Sequence, residues 1–486
     1  MLALPEKKKR KTEQKKDSSR LQCGYFMPKK NRLCAMTRRA DQKYCSEHMI
    51  YDTESEKNEG NGEKSVQTDI RVPCPYDGNH TVWSKSLKKH MKKCNAKPVV
   101  RHEVWFVEDI NCSLRSELYN EEQNEVDQSN AATEKASQSP DSKSEEDSFK
   151  KYLSIVQNTH FEPLQFKISE HIGLHERLEI ASRQKHAKQQ SSLIGNLRDA
   201  NLLSSNNFFV EFGCGKGELS RFVNLCILED AKAAQDKSKE SVPESTHYGY
   251  GFIDRGVNRM KMDQKILKDS RESNTSIIPR IQRTRIDIKD LDLNAFIDKA
   301  QPEKVVGISK HLCGAATDLT LKSLLNSTLL NEDSSKFGGL LIAMCCRHVC
   351  SYDQLLPQSR EFLAERGFGT ASAFSALQRM VSWAVCGKGS SKGNGKQAEE
   401  DGSENDEEID ENTNSKTPED DPVENSNLTF EEREELGIIA RRLIDESRVY
   451  ALKSILKDNY DIEMFWYVPR DVTLENVCLF VAPKAN

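Results

Sequence analysis

The run FFVEFGCGKGELSRFV at 208–223 limits what this chain can fold into more than any other segment. A short apolar strand ends at Phe212, glycines stand at 213, 215 and 217, and an apolar stretch with helical spacing begins at once. Glycine enters the left-handed backbone region without steric cost, so such a turn can bend tightly and pass close to a ligand. The helix that follows presents its N-terminus to the same place. Strand, tight turn and helix in this order are the unit of a parallel α/β sheet, whose ligands gather beyond the carboxyl ends of the strands. Strand-like runs at YGYGFID (248–254), KVVGIS (304–309) and LLIAMC (340–345) extend the pattern, with helical stretches between them. A long helix over 430–456 and strands at IEMFWYV and VCLFV close the chain. The expected fold class is therefore α/β: a parallel sheet finished by an antiparallel hairpin, as in a Rossmann-like domain.

Two ligand classes compete for the glycine turn. A dinucleotide site wants Gly-x-Gly-x-x-Gly, with a pyrophosphate at the helix start. This chain has Gly-x-Gly-x-Gly with Glu211 two residues before Gly213, a pattern that resembles the S-adenosylmethionine-dependent methyltransferases. That donor has no pyrophosphate, and its amine and carboxylate suit a loop offering both donors and acids. A turn with no ligand is the third reading. For the donor, Glu211, Gly213, Gly215 and Gly217 would line the turn and Asp254 would hold the ribose hydroxyls. Asp254 lies 37 residues past Gly217, beyond the usual ~20, and residues 229–247 are read as a polar insertion that accounts for the difference. Asp287 is expected to accept from the adenine amino group, or to be a surface acid.

The methyl acceptor is expected at the end of the fourth strand, in KHLCGAATDL (310–319), where Lys310, His311 and Asp318 are the candidate catalytic groups. Cys313 opens a different chemistry, a thiolate adding to a pyrimidine before carbon methylation. MCCRHVC (344–350) reads either as buried thiols with an RNA-facing Arg347 and His348, or as a third metal site.

Net charge is −5, but residues 1–100 carry 23 Lys/Arg against 12 Asp/Glu, and 389–427 carry 3 Lys against 13 acids. The basic end suits a polyanion. The acidic stretch is too poor in apolar residues to pack and is read as a disordered insert. Within the basic third, Cys23, Cys34, Cys45 and His48 form one candidate zinc set, and Cys74, His80, His90 and Cys94 another. So few large apolar residues surround them that a metal staple must supply the stability. Four ligands leave no open position, so both would be structural. His90 and Cys94 are expected on one helical face, and Trp83 and Leu87 are candidates for the second finger's small core. The spacing Cys-x5-His-x9-His-x3-Cys resembles the CHHC finger of a minor-spliceosome protein. Fourteen cysteines without an apolar leader point to reduced thiols in nucleus and/or cytoplasm. The KKKRK run at 7–11 is an import signal or a solvated tail. No apolar run approaches the ~20 residues of a membrane span.

The expected organisation is a basic tail (1–17), a CCCH finger (18–52), a CHHC finger (71–98), a disordered linker (116–148) and a methyltransferase domain (149–486) interrupted at 389–427. This order, with KHAKQQSSLIGNL (185–197), EFGCGKGELS, SKHLCGAATDL, AMCCRHVC and SWAVCG (382–387), resembles the eukaryotic tRNA:m4X modification enzyme family. It departs at CCRHV, where the family is expected to favour CCHHR. The resemblance implies a tRNA 2′-O-methyltransferase acting on the fourth nucleotide of the acceptor stem, with S-adenosylmethionine and two structural zinc ions. It implies tRNA, rather than DNA or a membrane, as the partner, and it leaves any protein partner open. The rival readings are a cytosine-carbon methyltransferase using Cys313, and a non-catalytic zinc-finger RNA-binding or splicing protein.

Overall fold

The computed structural model describes residues 21–27, 32–40, 42–46, 48–49, 71–94, 97, 103–115, 142–180, 184–238, 247–258, 260–331, 334–384 and 428–484. The tail at 1–17, the KKKRK run, the acidic insert and nearly all of the expected linker lie outside them. The chain divides into two units, Met1–His102 and Glu103–Asn486.

The first unit holds two small antiparallel pairs: β1 (Phe26–Met27) with β2 (Arg32–Leu33), and β3 (Arg71–Cys74) with β4 (Asp77–Trp83). A short helix, α1 (Leu87–Met91), follows. It stops before Cys94, so the expectation of His90 and Cys94 on one helical face fails. Cys94 reaches His90 through the turn that follows, where Lys93 N–H donates to the His90 carbonyl at 2.8 Å.

The second unit is built on an eight-stranded sheet, in the order β5-β11-β12-β10-β9-β6-β7-β8. Its strands are β5 (Gln165–Phe166), β6 (Asn207–Phe212), β7 (Gly249–Asp254), β8 (Arg280–Arg285), β9 (Lys304–Cys313), β10 (Phe337–Cys345), β11 (Tyr460–Trp466) and β12 (Val477–Pro483). From β10 to β8 all neighbours are parallel. β12 runs antiparallel to both β10 and β11, which forms the expected closing hairpin. The chain moves outward from β6 to β7 and β8, then returns to place β9 on the other side of β6. The β6/β9 border is thus the topological switch, the place where an open α/β sheet leaves a crevice for ligand.

All six residues of β6 and all nine of β10 are buried. Such continuous burial is the mark of parallel strands covered on both faces. Alternate side chains go to opposite cores: Phe208, Val210 and Phe212 to one, Phe209 to the other. Covering helices include α2 (Ser142–Gln157), α3 (His175–Ile180), α4 (Gln184–Asp199), α5 (Glu218–Ser238), α6 (Asp263–Glu272), α7 (Leu293–Asp298), α8 (Ala315–Leu325), α9 (Thr328–Asn331), α10 (Pro357–Ala364), α11 (Ala371–Trp383) and α12 (Phe430–Leu456). Thr429 and Glu432 form a capping box that starts α12.

Three boundaries differ from the expectation. The second unit begins at Glu103, not 149. Trp105 is 9% exposed, its indole N–H donates to Thr284 Oγ1 at 2.9 Å, and its ring meets Phe296 edge to face. Asn111 donates to the carbonyls of Ile288 and Leu291. Main-chain bonds add to these contacts, with Val107 N–H donating to the Asp290 carbonyl and Asp292 N–H to the Trp105 carbonyl, each at 2.9 Å, so a polar segment is tied to the domain at several points. Helix α2 starts at Ser142, inside the range read as linker, because Phe149 and Val156 pack into a third core with α10, α11 and α12. The supposed insertion at 229–247 is helical as far as Ser238, with Ala231 buried against the sheet.

A chain of alternating charges joins α12 to the strand ends. Arg448 donates to both oxygens of Asp318 at 2.9 and 2.8 Å and lies 3.5 Å from Asp445. Arg347 binds both oxygens of Asp445 at 3.1 and 2.9 Å and also pairs with Glu475, which Arg441 meets at 2.7 Å. Arg347, Arg448, Asp318 and Asp445 are each at most 1% exposed. The three cations balance three anions, which is what permits burial. Arg347 is therefore not the RNA-facing cation that the sequence suggests.

Candidate active site and metal clusters

The turn after β6 has all three glycines in the left-handed region, at φ 63°, 51° and 85°. A Cβ on Gly213 would stand 3.2 Å from the His311 carbonyl oxygen, so the end of β9 lies against the turn. One on Gly217 would meet Phe252 at 2.9 Å and the Arg283 guanidinium at 3.0 Å, whereas one on Gly215 would enter open space. The turn is thus backed by protein on two sides and open at its middle, a cradle of the kind a bound nucleoside requires.

Each sequence-predicted donor residue has a defined place. Asp254, at the end of β7, accepts from Gly215 N–H at 2.7 Å and from Gly256 N–H at 2.6 Å. Asp287 follows β8 and accepts from Lys289 N–H at 3.1 Å. Both are partly exposed at successive strand ends, and Asp254 touches the cradle through Gly215. Glu211 is different: it is 4% exposed and accepts from the backbone and hydroxyl of Ser220, in the first turn of α5. Burial raises its pKa to about 7. It shapes the turn from beneath.

Arg283 is a residue that the sequence reading missed. It pairs with Asp263 at 2.7 Å, lies over the Phe252 ring at 4.3 Å, and donates to the carbonyls of Gly215 and Lys216. It clamps the glycine turn from the neighbouring strands. Nothing local marks it, since it sits in the polar edge strand RIQRTR.

The acceptor side is the end of β9. Lys310 Nζ lies 2.9 Å from His186 Nδ1 on α4, so KHAKQQ contributes a partner to the strand end as well as a basic helix. Beside it, His311 is an exposed residue that nevertheless has Lys310 and His186 as charged neighbours. Desolvation, with Lys310 and His186 adding like charge, pushes its pKa down to about 4, so it is neutral at physiological pH. Asp318 does not join this group: it is fully buried in the Arg448 pair. Cys313 is exposed, with its sulfur 2.9 Å from that of Cys345.

The two fingers bring their ligand atoms together. Around His48 Nδ1, Cys45 Sγ lies at 3.4 Å and Cys23 Sγ at 3.6 Å, and Cys34 completes the set. Tyr25 stacks on the His48 ring at 4.0 Å. In the second finger the Cys74–Cys94 sulfurs are 3.6 Å apart, the His80–His90 Nε2 atoms 3.1 Å, and the mixed pairs 3.2 and 3.5 Å. Bonds of ~2.3 Å to sulfur and ~2.0 Å to nitrogen around a tetrahedral zinc ion span edges of about this length. Asp77 lies 3.2 Å from His80 Nδ1, a carboxylate that fixes the tautomer and leaves Nε2 for metal. Trp83, expected in the finger core, is partly exposed and carries Arg71 over its ring at 5.3 Å.

Comparison with known proteins agrees with this division. Residues 188–482 match the family described as Methyltransferase TRM13. Residues 21–49 match the CCCH zinc finger in TRM13 protein, and 71–95 the U11-48K-like CHHC zinc finger. Among relatives, the tRNA:m(4)X modification enzyme TRM13 of Scheffersomyces stipitis is 58% identical, over 94% of this chain and 100% of its own. That of Debaryomyces hansenii is 50% identical over 99% and 95%. That of Saccharomyces cerevisiae is 34% identical over 96% and 97%. A glycine cradle at the switch of an α/β sheet, two preformed Cys/His clusters and likeness along nearly the whole chain converge: this chain belongs to the TRM13 methyltransferase family.

Proposed function

We propose that the chain transfers a methyl group from S-adenosylmethionine to the ribose 2′-oxygen of nucleotide 4 in the tRNA acceptor stem. The observation that carries the reading is the contact of Gly213 with the β9 end, which sets a donor cradle directly beside Lys310 and His186. The relatives' shared name, tRNA:m(4)X modification enzyme, supports tRNA as substrate and position 4 as target. The donor, when bound, supplies an electrophilic methyl group. Asp254 and Asp287 hold its nucleoside at the rim, and the glycine turn lets it approach the backbone. Lys310 stabilises the negative charge that develops on the attacking oxygen, and His186 positions Lys310. Neutral His311 can take up a proton, although its low pKa makes it a weak base. Much of the rate comes from alignment of oxygen, methyl and sulfur. A stem nucleotide suits this arrangement, because A-form RNA exposes its 2′-hydroxyls in a wide, shallow groove.

The fingers are proposed to hold one structural zinc ion each and to grip the RNA. A groove of about 340 Å³ in the CHHC finger is lined by Arg71, Trp83, Lys89 and Lys93 among others, offering cations for phosphate and a ring for a base. The basic N-terminal run supports residence in the nucleus and/or cytoplasm. The test is incubation of the full chain with tritiated donor and total tRNA, followed by nucleoside analysis. Ribose-methylated product from position 4 is expected. Carbon-methylated cytosine, or no incorporation with intact RNA binding, overturns the reading.

A further inference from the structure

The ends of β9 and β10 hold a third group of metal-binding atoms. Cys313 and Cys345 face each other in register across the two parallel strands, and the sulfurs of Cys313, Cys345 and Cys346 all lie within 4.8 Å of one another. Consecutive residues leaving a strand normally point to opposite faces. Here Cys346 adopts φ 50°, ψ 44°, the left-handed conformation. That backbone turn swings its side chain back to the side of Cys345. A non-glycine residue enters this region only against steric resistance between its Cβ and the backbone. Two members of the charge chain maintain it: Glu475 accepts from Cys346 N–H at 3.1 Å, and Arg347 donates to the Met344 carbonyl at 2.8 Å. The fold thus expends strain to converge three thiols that packing alone would not gather. Beside them, His348 carries a buried Nδ1 with no hydrogen-bond partner among the described residues, and His348 and His311 both lie within electrostatic range of Cys346.

We propose that Cys313, Cys345 and Cys346 form a third metal site, for a thiophilic divalent cation of the zinc class, with three thiolate ligands and a fourth position open toward the end of β9. The donor set selects the ion, since thiolates favour zinc and other soft cations over magnesium or calcium. The fingers close their tetrahedra with four protein ligands, whereas this group has three, the arrangement that leaves room for water, substrate oxygen or His348. On binding, each protonated thiol releases its proton to solvent and the three sulfurs bond the cation, leaving a site of net charge −1. The 2.9 Å Cys313–Cys345 edge must open toward the roughly 3.7 Å that tetrahedral zinc–sulfur bonds of ~2.3 Å demand. Exposed Cys313 is placed to make that adjustment.

The experiment is metal analysis of the purified full chain by plasma mass spectrometry, with cobalt substitution in parallel. Three equivalents are expected for the native chain and two for Cys313→Ser and for Cys346→Ser. Neither residue is fully buried, and retained donor binding verifies that each variant is folded. The cobalt form should show charge-transfer intensity for eight thiolates, falling in each variant to the five that the fingers supply. A native chain that holds two equivalents and takes up no more on titration with Zn²⁺ or Co²⁺ overturns the proposal. So does a third equivalent that survives in both variants, or a Cys313–Cys345 disulfide in its place. These readouts are independent of which nucleotide is methylated.

Discussion

Replacing Asp318 distinguishes a core ion pair from a catalytic acid. Its carboxylate accepts two hydrogen bonds from Arg448, at 2.9 and 2.8 Å, with both side chains at most 1% exposed. Asp318→Asn keeps the volume and one acceptor but leaves three buried cations facing two anions. Breaking one partner of a buried pair costs on the order of 3–5 kcal/mol, a large part of the roughly 5–15 kcal/mol that holds a domain together. Asp445, 3.5 Å from Arg448, recovers little, because it already serves Arg347. The double variant Asp318→Leu/Arg448→Met removes both charges and should regain most of the loss, because paired buried ions exchange for apolar groups at small net cost. Urea denaturation of the full chain, followed by tryptophan fluorescence, measures all three. Donor binding by the folded fraction of each should match that of the native chain. The reasoning is refuted if Asp318→Asn keeps its unfolding free energy within about 0.5 kcal/mol of native, the range of ordinary surface changes, while turnover collapses.

Three further outcomes are expected. Arg283→Met should loosen the glycine turn and raise the KM for the methyl donor about tenfold or more with a smaller change in kcat, since it removes charged hydrogen bonds worth ~1.5–3 kcal/mol each; steady-state kinetics at saturating tRNA would show the split. Because His311 has its pKa lowered from 6.5 to about 4, the folded state binds fewer protons than the unfolded chain between those values. Its contribution to stability is therefore complete above pH 6.5 and declines as pH falls toward 4, so the melting temperature of His311→Gln should drop less than that of the native chain across this window. Cys94→Ser should unfold the second finger and weaken tRNA binding at least about tenfold through lost phosphate contacts, while donor affinity, measured by calorimetry, stays within about twofold.

The parts legible in the sequence were those written locally. The apolar run of β6, the three glycines and the helix that follows are chain neighbours, and their periods can be read without a partner. Asp254 and Asp287 were read in the same way, as acids at the ends of predicted strands, and they stand at the ends of β7 and β8. The two Cys/His clusters were legible because metal spacing is short-range. What failed was longer in reach. Nothing near Trp105 shows that it fills a core against Thr284 and Phe296, and nothing near Arg283 shows that it clamps the glycine turn. Lys310 was singled out, but its contact with His186, 124 positions away, was not.

By itself the sequence determined the α/β class, the position of the glycine turn and the two Cys/His clusters, because strand period, glycine conformational freedom and tetrahedral ligand spacing act over a few residues. Tertiary structure alone decided which charges are buried and which serve the site. Asp318 meets Arg448 across 130 positions and Arg347 meets Asp445 across 98. A carboxylate or guanidinium carries the same formula in a core as in a crevice, and only the partner brought to it by the fold sets its role.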